Sequence, residues 1–385
     1  MTPVFRLLIC CSMVWSIESL GQDISMYHQH NGRYDYTAIG NTLNPIENGA
    51  FSDCTILSGS EATLSMNSDQ TIVAAYLYWA GSGAGDFDIN LNTIPISPDR
   101  TFAYSLDTNR QFFAAFSDVT TLVQNQGNGI YELSNLDDIT ISENYCSTGT
   151  NFAGWAMVVI YEDSDLPLNQ INVYDGLQAV PESISIELDN LNVLDVDGAK
   201  IGFIAWEGDA SLAVNESLTI NGFLLSNPPL NPETNAFNGT NSFTGNTNMY
   251  NMDIDVYDIQ NTINIGDTSA MIELTSGQDL VMVNNIITVL NSQLPDATIE
   301  LAEDVETTCF SRTVTLHFSV SNFNSTDELA AGIPIAFYIN DILIGQALTE
   351  EIIAIGGTIE DSISIEISSN IPEEFQIVAV VDDDG

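Results

Sequence analysis

Short acidic clusters in this sequence could bind a hard metal ion. Asp195 and Asp197 would project to the same side of an extended chain, and Gly198 permits a sharp turn after them. Glu207 and Asp209 directly follow an apolar segment, so a rigid strand could position them. Calcium takes several oxygen ligands from carboxylates, amide side chains and loop carbonyls. We therefore predict bound calcium, with Asp195, Asp197, Glu207 and Asp209 as its ligands.

The alternative is that these clusters are solvated turns on an acidic surface. The sequence lacks the full twelve-residue loop of an EF-hand, whose ligand spacing would be diagnostic. Similar clusters occur at residues 86–88, 137–138, 253–255 and 382–384.

Catalytic motifs are absent from the sequence, which contains no G-x-S-x-G, H-E-x-x-H or phosphate-binding Walker loop. The three histidines are His28, His30 and His317, and none is near a nucleophile motif. His28 and His30 on a strand could hold a transition metal, but no third ligand is indicated, and an exposed tail is the alternative. We therefore predict a protein that is not an enzyme.

The charge balance excludes several classes of partner. The chain has 385 residues, with 53 acidic and 6 basic side chains and a formal net charge of −47. Such a surface repels phosphates, so we expect neither nucleic-acid binding nor adsorption to anionic lipid. Hydrophobic residues make up 44% of the chain, which is enough for a sizeable core.

Residues 1–21 are typical of a secretory signal peptide. Arg6 supplies the positive charge, residues 7–17 form a short apolar stretch, and Ser19 and Gly21 are small residues before the expected cleavage at Gln22. No later segment is apolar and long enough for a membrane-spanning helix. We therefore predict a secreted protein without membrane insertion.

Export favours disulfide formation among the remaining cysteines. Cys10 and Cys11 would leave with the signal peptide, which leaves Cys54, Cys146 and Cys309. We predict a disulfide between Cys54 and Cys146, which would close a long loop and stabilise the fold by about 3–4 kcal/mol. Cys309 is then either a buried thiol or half of a bridge to sequence outside this chain.

Apolar runs separated by Gly, Asn, Asp, Ser and Pro clusters predict an all-β fold. Residues 71–79, 153–161 and 201–206 are apolar on both faces, which predicts central strands buried on both sides. Residues 313–321 alternate between apolar and polar types, which predicts a sheet with one solvated face. We expect a signal peptide (1–21), a large, jelly-roll-like β-sandwich (22–294) and a smaller immunoglobulin-like β-sandwich (296–385). This last unit ends without a closing strand, so we expect the chain to be part of a longer protein.

An ordered set of motifs resembles the N-terminal domain of large surface proteins of gliding Bacteroidetes. The resemblance covers residues 50–294. The motifs are AYLYWAGSG (75–83), FSDVT (116–120), FAGWAMVVIYED (152–163), VYDGL (173–177), AWEGD (205–209) and FNGTNS (237–242). Residues 296–385 more weakly resemble the cell-adhesion-related immunoglobulin-like domain of bacteria. Members of the family typically carry a C-terminal sorting domain for type nine secretion, which this chain lacks.

This resemblance implies a non-catalytic role in adhesion or presentation at the outer cell surface. The partner would be a glycan or another cell-surface protein. One alternative is a calcium-dependent carbohydrate-binding module of a longer polysaccharide-handling protein, and another is a structural stalk cap without a ligand. Trp79, Trp155 and Trp206 could stack on sugars if exposed, but their apolar neighbours favour core packing.

Overall fold

The computed structural model confirms an all-β fold built as stacked β-sandwiches. It describes residues 22–49, 54–180, 182–212, 214–292, 297–302, 306–307, 311–323, 325, 328–340, 342–372 and 374–385. The predicted signal peptide, the predicted boundary at residues 294–296 and Cys309 lie outside these ranges. Within these ranges, two short helices accompany the strands, α1 (Thr120–Gln126) and α2 (Glu143–Cys146).

Two five-stranded antiparallel sheets form the centre of the larger sandwich. Numbered in chain order, the strands of central sheet A are β1 (Gln22–Gly32), β11 (Asn169–Ala179), β18 (Met282–Asn291), β13 (Lys200–Trp206) and β16 (Met252–Asp258), in this spatial order. Those of central sheet B are β2 (Tyr34–Thr42), β10 (Ala153–Glu162), β4 (Thr71–Ser82), β8 (Gln111–Asp118) and β7 (Arg100–Ser105).

A four-stranded outer sheet covers the far face of each central sheet. Outer sheet C, over sheet B, consists of β3 (Gly59–Leu64), β9 (Gly129–Ser134), β5 (Ile89–Leu91) and β6 (Ile94–Ile96). Outer sheet D, over sheet A, consists of β12 (Glu182–Leu188), β17 (Ala270–Ser276), β14 (Ser217–Ile220) and β15 (Phe223–Leu224). The sheets therefore stack in the order C, B, A, D.

This stacking explains the strands that are apolar on both faces. Successive side chains of a strand point to opposite faces. On β13, Ile204 and Trp206 enter the core between the two central sheets, whereas Ile201 and Phe203 enter the core between sheets A and D. The predicted two-sided burial of residues 71–79, 153–161 and 201–206 is thus confirmed.

Conservative substitutions on β13 test the burial of both faces. Ile201 and Ile204 are 0% and 1% exposed and face different cores. We expect Ile201→Val and Ile204→Val each to lower the free energy of unfolding by about 1 kcal/mol, because each leaves a methyl-sized void. Chemical denaturation measures this change. Ile342→Val, at a side chain that is 53% exposed, is the matched control and should change stability by under about 0.5 kcal/mol.

Residues 297–381 form two further sheets around a separate apolar core. The first contains β19 (Ala297–Leu301), β20 (Glu306–Thr307), β21 (Thr313–Asn322) and β24 (Thr358–Glu366), with β21 paired to the other three. The second contains β23 (Ile342–Leu348), β22 (Pro334–Ile339) and β25 (Val378–Val381). Val314, Leu316, Phe318 and Val320 of β21 point into this core, as their alternation predicted.

The predicted disulfide between Cys54 and Cys146 is present, with a Cα–Cα distance of 5.5 Å. It joins the segment that follows β2 to the segment that precedes β10. In the described part of the chain, no helix has the length and apolar character needed to cross a membrane.

Candidate metal centre

The ends of three neighbouring strands bring acidic residues together at one end of the larger sandwich. In sheet A, β13 pairs with β16 on one side and with β18 on the other, and both pairings are antiparallel. The end of β13 therefore meets the starts of β16 and β18. Glu207 and Asp209 follow β13, Asn251 precedes β16 and Asp279 precedes β18. Strand pairing across sheet A thus creates this site.

Glu207, Asp209 and Asp279 form a compact buried cluster, called here the acidic triad. One carboxylate oxygen from each residue lies within 4.8 Å of the others. The three residues are 1%, 3% and 1% exposed. Three carboxylates at this spacing could hold a metal ion, with all-oxygen ligands of the kind that calcium prefers.

Amide side chains fix the orientation of the triad. Asn48 donates a hydrogen bond from Nδ2 to Glu207 Oε1, and Asn251 Nδ2 donates to Asp209 Oδ1 at 2.6 Å. The backbone N–H of Asp209 donates to Asp279 Oδ2 at 3.0 Å. These contacts leave other oxygens of the same groups available to a ligand.

Several buried oxygens around the triad accept no hydrogen bond within the described structure. They are Asp279 Oδ1 and the side-chain Oδ1 atoms of Asn48, Asn151 and Asn235. A buried polar atom without a partner costs about 1–3 kcal/mol. A bound cation would satisfy such oxygens, because amide oxygens and the oxygens of an ionised carboxylate are acceptors.

Electrostatics also favours a cation at this position. Burial raises the pKa of Asp279 to about 8, and burial together with the charge of Asp279 raises the pKa of Asp209 to about 8. Burial, Asp209 and Asp279 raise the pKa of Glu207 well above its ordinary value. Among the described residues, the ion pairs of Arg100, Arg110 and Lys200 are made with acidic groups outside the triad. A metal ion would therefore supply the missing positive charge.

The backbone of Glu207 is strained. Its φ is +74°, in the left-handed region that residues with a side chain rarely adopt. The Glu207 N–H donates to the carbonyl oxygen of Asn251 at 2.7 Å, which holds this conformation. Strain of this kind concentrates at functional sites, where the surrounding structure fixes the geometry.

The structure places Asp195 and Asp197 away from the triad. They precede β13, whereas Glu207 and Asp209 follow it, so the length of the strand, about 20 Å, separates the two pairs. Asp195 is half-buried and accepts hydrogen bonds from the Asp197 N–H and from Asn291 Nδ2, each at 3.1 Å. Asp197 is exposed. Of the four predicted ligands, two therefore lie in the triad.

Asp279 is the member of the acidic triad that the sequence does not indicate. It stands alone among uncharged neighbours, so no acidic cluster marked it. One signal was available, since Asp279 directly precedes the apolar run at 280–290 just as Glu207 directly follows one. That signal becomes specific only once β13 and β18 are known to be neighbours.

The other residues that the sequence suggests for binding are two histidines and three tryptophans, and none of them belongs to the acidic triad. The rings of His28 and His30 lie 4.4 Å apart, and His30 Nε2 is 2.9 Å from the Tyr76 hydroxyl, but within the described residues neither joins a group of three potential ligands. Burial lowers the pKa of His30 to about 4. Trp79, Trp155 and Trp206 are fully buried, which confirms that they pack in cores.

No protein-family model and no curated protein matches this sequence. A GH2 β-galacturonidase from Eisenbergiella tayi bound to galacturonate is 11% identical over 55% of this chain and 33% of that chain, with a TM-score of 0.18. A glycosyl hydrolase family 2 member from Bacteroides cellulosilyticus is 9% identical, with coverages of 56% and 26% and a TM-score of 0.16. For a Ruminococcus gnavus β-glucuronidase, identity is 6%, the coverages are 55% and 35%, and the TM-score is 0.14. This chain spans about a third or less of those proteins, and likeness at these scores carries no inference about function.

Proposed function

We propose that this chain is a non-catalytic, exported β-sandwich protein that calcium stabilises and that acts in adhesion or presentation at the cell surface. The acidic triad is the observation that carries the calcium assignment. Its three carboxylates are buried and within 4.8 Å of one another, and the described residues supply no paired base. Calcium accepts such ligands together with amide and carbonyl oxygens.

Export and surface attachment rest on separate observations. The disulfide between Cys54 and Cys146 suits an oxidising environment. The N-terminal segment resembles a signal peptide, and the motifs in residues 50–294 resemble a cell-surface family. Adhesion through a glycan or another surface protein follows from that resemblance alone.

Thermal unfolding with and without calcium tests the proposal. Calcium at a hundred times its dissociation constant should raise the free energy of unfolding by about 2.7 kcal/mol, because it binds only the folded chain. The measurement compares excess calcium with chelator at matched ionic strength. Magnesium serves as the control for general charge screening, and we expect it to give a smaller rise. Equal effects of calcium and magnesium, or none, would contradict the assignment.

Two asparagine variants locate the site. Asp279→Asn should reduce the calcium-dependent rise and, in chelator, should be at least as stable as the unmodified protein, because it replaces a buried carboxyl beside two others with a neutral amide. Asp195→Asn makes the same change in charge at the other end of β13 and should retain the full rise. If Asp195→Asn removes the effect of calcium instead, the assignment to the triad is wrong.

A further inference from the structure

Two further buried carboxylates, those of Asp253 and Glu216, lie next to the acidic triad. We propose that this pair binds a second divalent cation, so that the end of the sandwich holds two metal ions. The inference rests on the proposed calcium site, because both sites would take up calcium from the same solution. Its basis is one free oxygen on each carboxylate and the position of Gly208.

The two carboxylate oxygens of Asp253 have different surroundings. It lies on β16, opposite Ala205 of β13, and is 0% exposed. Its Oδ1 accepts hydrogen bonds from three successive backbone N–H groups, those of Asn238, Gly239 and Thr240, at 2.9, 2.8 and 2.9 Å. Successive amides aimed at one oxygen form an anion-binding concavity, which favours the charged carboxylate. Asp253 Oδ2 accepts no hydrogen bond in the described structure.

Glu216 lies beside Asp253 under the same backbone segment. It is 1% exposed, and its Oε1 accepts from the Phe237 N–H at 2.8 Å, one residue before the first amide that contacts Asp253. Glu216 Oε2, like Asp253 Oδ2, has no hydrogen-bond partner among the described residues. Two unpartnered carboxylate oxygens are therefore buried along one stretch of chain.

Gly208 connects this pair to the triad. A Cβ atom built on Gly208 would lie 2.5 Å from Asp253 Oδ2 and 2.6 Å from the carbonyl oxygen of Phe237. Both oxygens therefore face the residue that stands between Glu207 and Asp209. Only glycine leaves room for them there, and a backbone carbonyl beside carboxylates is a normal calcium ligand. The second site would lie directly across Gly208 from the first.

A cation would interact with both free oxygens at once. Asp253 Oδ2 and Glu216 Oε2 accept no hydrogen bond within the described chain, and acceptor oxygens of this kind suit a metal ion. A divalent ion would offset the repulsion between the two ionised carboxylates and would bind both free oxygens.

Asp255 is not part of the proposed pair. Its Oδ2 accepts from Asn231 Nδ2 at 2.8 Å and from Thr240 Oγ1 at 2.9 Å, and its Oδ1 accepts from Ser242 Oγ at 2.8 Å. With both oxygens satisfied by side chains, Asp255 holds the neighbouring segment in place.

Counting tightly bound calcium tests the second site. The metal-stripped protein is equilibrated with calcium alone in 0.15 M NaCl, desalted, and analysed for metal per chain by mass spectrometry of the digested sample. We expect two equivalents for the unmodified protein and one each for Asp253→Asn, Glu216→Gln and Asp279→Asn. Glu61→Gln, at an exposed side chain, makes the same change in charge as Glu216→Gln and should retain two.

The outcomes separate this inference from the proposed function. One equivalent in the unmodified protein that Asp279→Asn removes and Asp253→Asn retains would overturn the second site and leave the triad intact. No bound calcium would overturn both. Because the unmodified protein alone distinguishes two equivalents from one, the test holds even if a variant fails to fold, which circular dichroism would show.

Discussion

Replacing Cys54 and Cys146 together with serine is expected to lower the free energy of unfolding by about 4 kcal/mol. The bridge spans 92 residues of sequence, and opening a loop of that length restores much conformational freedom to the unfolded chain. Chemical denaturation under oxidising conditions measures the loss. Cys309→Ser, which leaves the bridge intact, is the matched control. A loss below about 1 kcal/mol in the double variant would contradict this account.

The same variant should also bind calcium less tightly. The bridge joins the segment that carries Asn48, which donates to Glu207 Oε1, to the segment that carries Asn151, whose carbonyl oxygen accepts from Asn48 Nδ2. The two segments pack closely, because a Cβ on Gly149 would lie 2.8 Å from the Gly49 Cα. Without the bridge, the cost of ordering Asn48 beside Glu207 would oppose binding. Calorimetric titration at pH 8 should therefore show weaker binding, and equal affinity would mean that the bridge and the site are independent.

Calcium binding near pH 7 is expected to release protons, and its affinity should fall steeply in acid. Burial and neighbouring carboxylates raise the pKa values of Asp209 and Asp279 to about 8, so protonated forms of both groups are present at pH 7. Calcium binds the ionised forms and must displace those protons. Each displaced proton weakens binding by up to about tenfold for each pH unit below 8. Between pH 8 and pH 6 we expect a loss of affinity of up to about a hundredfold for one displaced proton, and a larger loss for two.

Calorimetric titration in two buffers with different ionisation enthalpies measures the protons directly. The observed enthalpy should differ between the buffers at pH 7, and the difference should shrink in Asp279→Asn. Identical enthalpies would show that no proton leaves.

The free energy of unfolding of the calcium-free protein, measured in chelator, should also depend on pH. A carboxyl group whose pKa is raised by folding binds more protons in the folded state than in the unfolded state, so lower pH favours the folded state. The calcium-free protein should therefore gain stability as the pH falls from about 8 towards 4.

The strand content was predictable because it depends on local patterns. Alternation in β21 and two-sided apolar runs in β4, β10 and β13 are properties of single segments, so they identified strands and their burial. The outer sheets C and D were not foreseen. Their placement depends on which strands become neighbours across long stretches of chain, such as β12 with β17, and no local pattern encodes that pairing.

The candidate site was predictable only in part, for the same reason. Glu207 and Asp209 lie two residues apart in sequence and directly after a buried strand, so the sequence marked them. Asp279 lies 70 residues beyond Asp209 and joins it only through the pairing of β13 with β18. Asp195 and Asp197 have the same spacing as Glu207 and Asp209, which shows that acidic spacing alone does not distinguish a surface turn from a buried cluster.

The order of the four stacked sheets has a consequence for how the larger sandwich unfolds. Sheets A and B each contribute one face to the central core and the other face to an outer core. Losing either outer sheet would expose a full apolar face of a central sheet, so the three cores should melt in a single cooperative transition. A bound ligand or a disulfide at one end of the sandwich would then stabilise all four sheets. The backbone amides of β10 and β18 should exchange with solvent only when the whole sandwich unfolds.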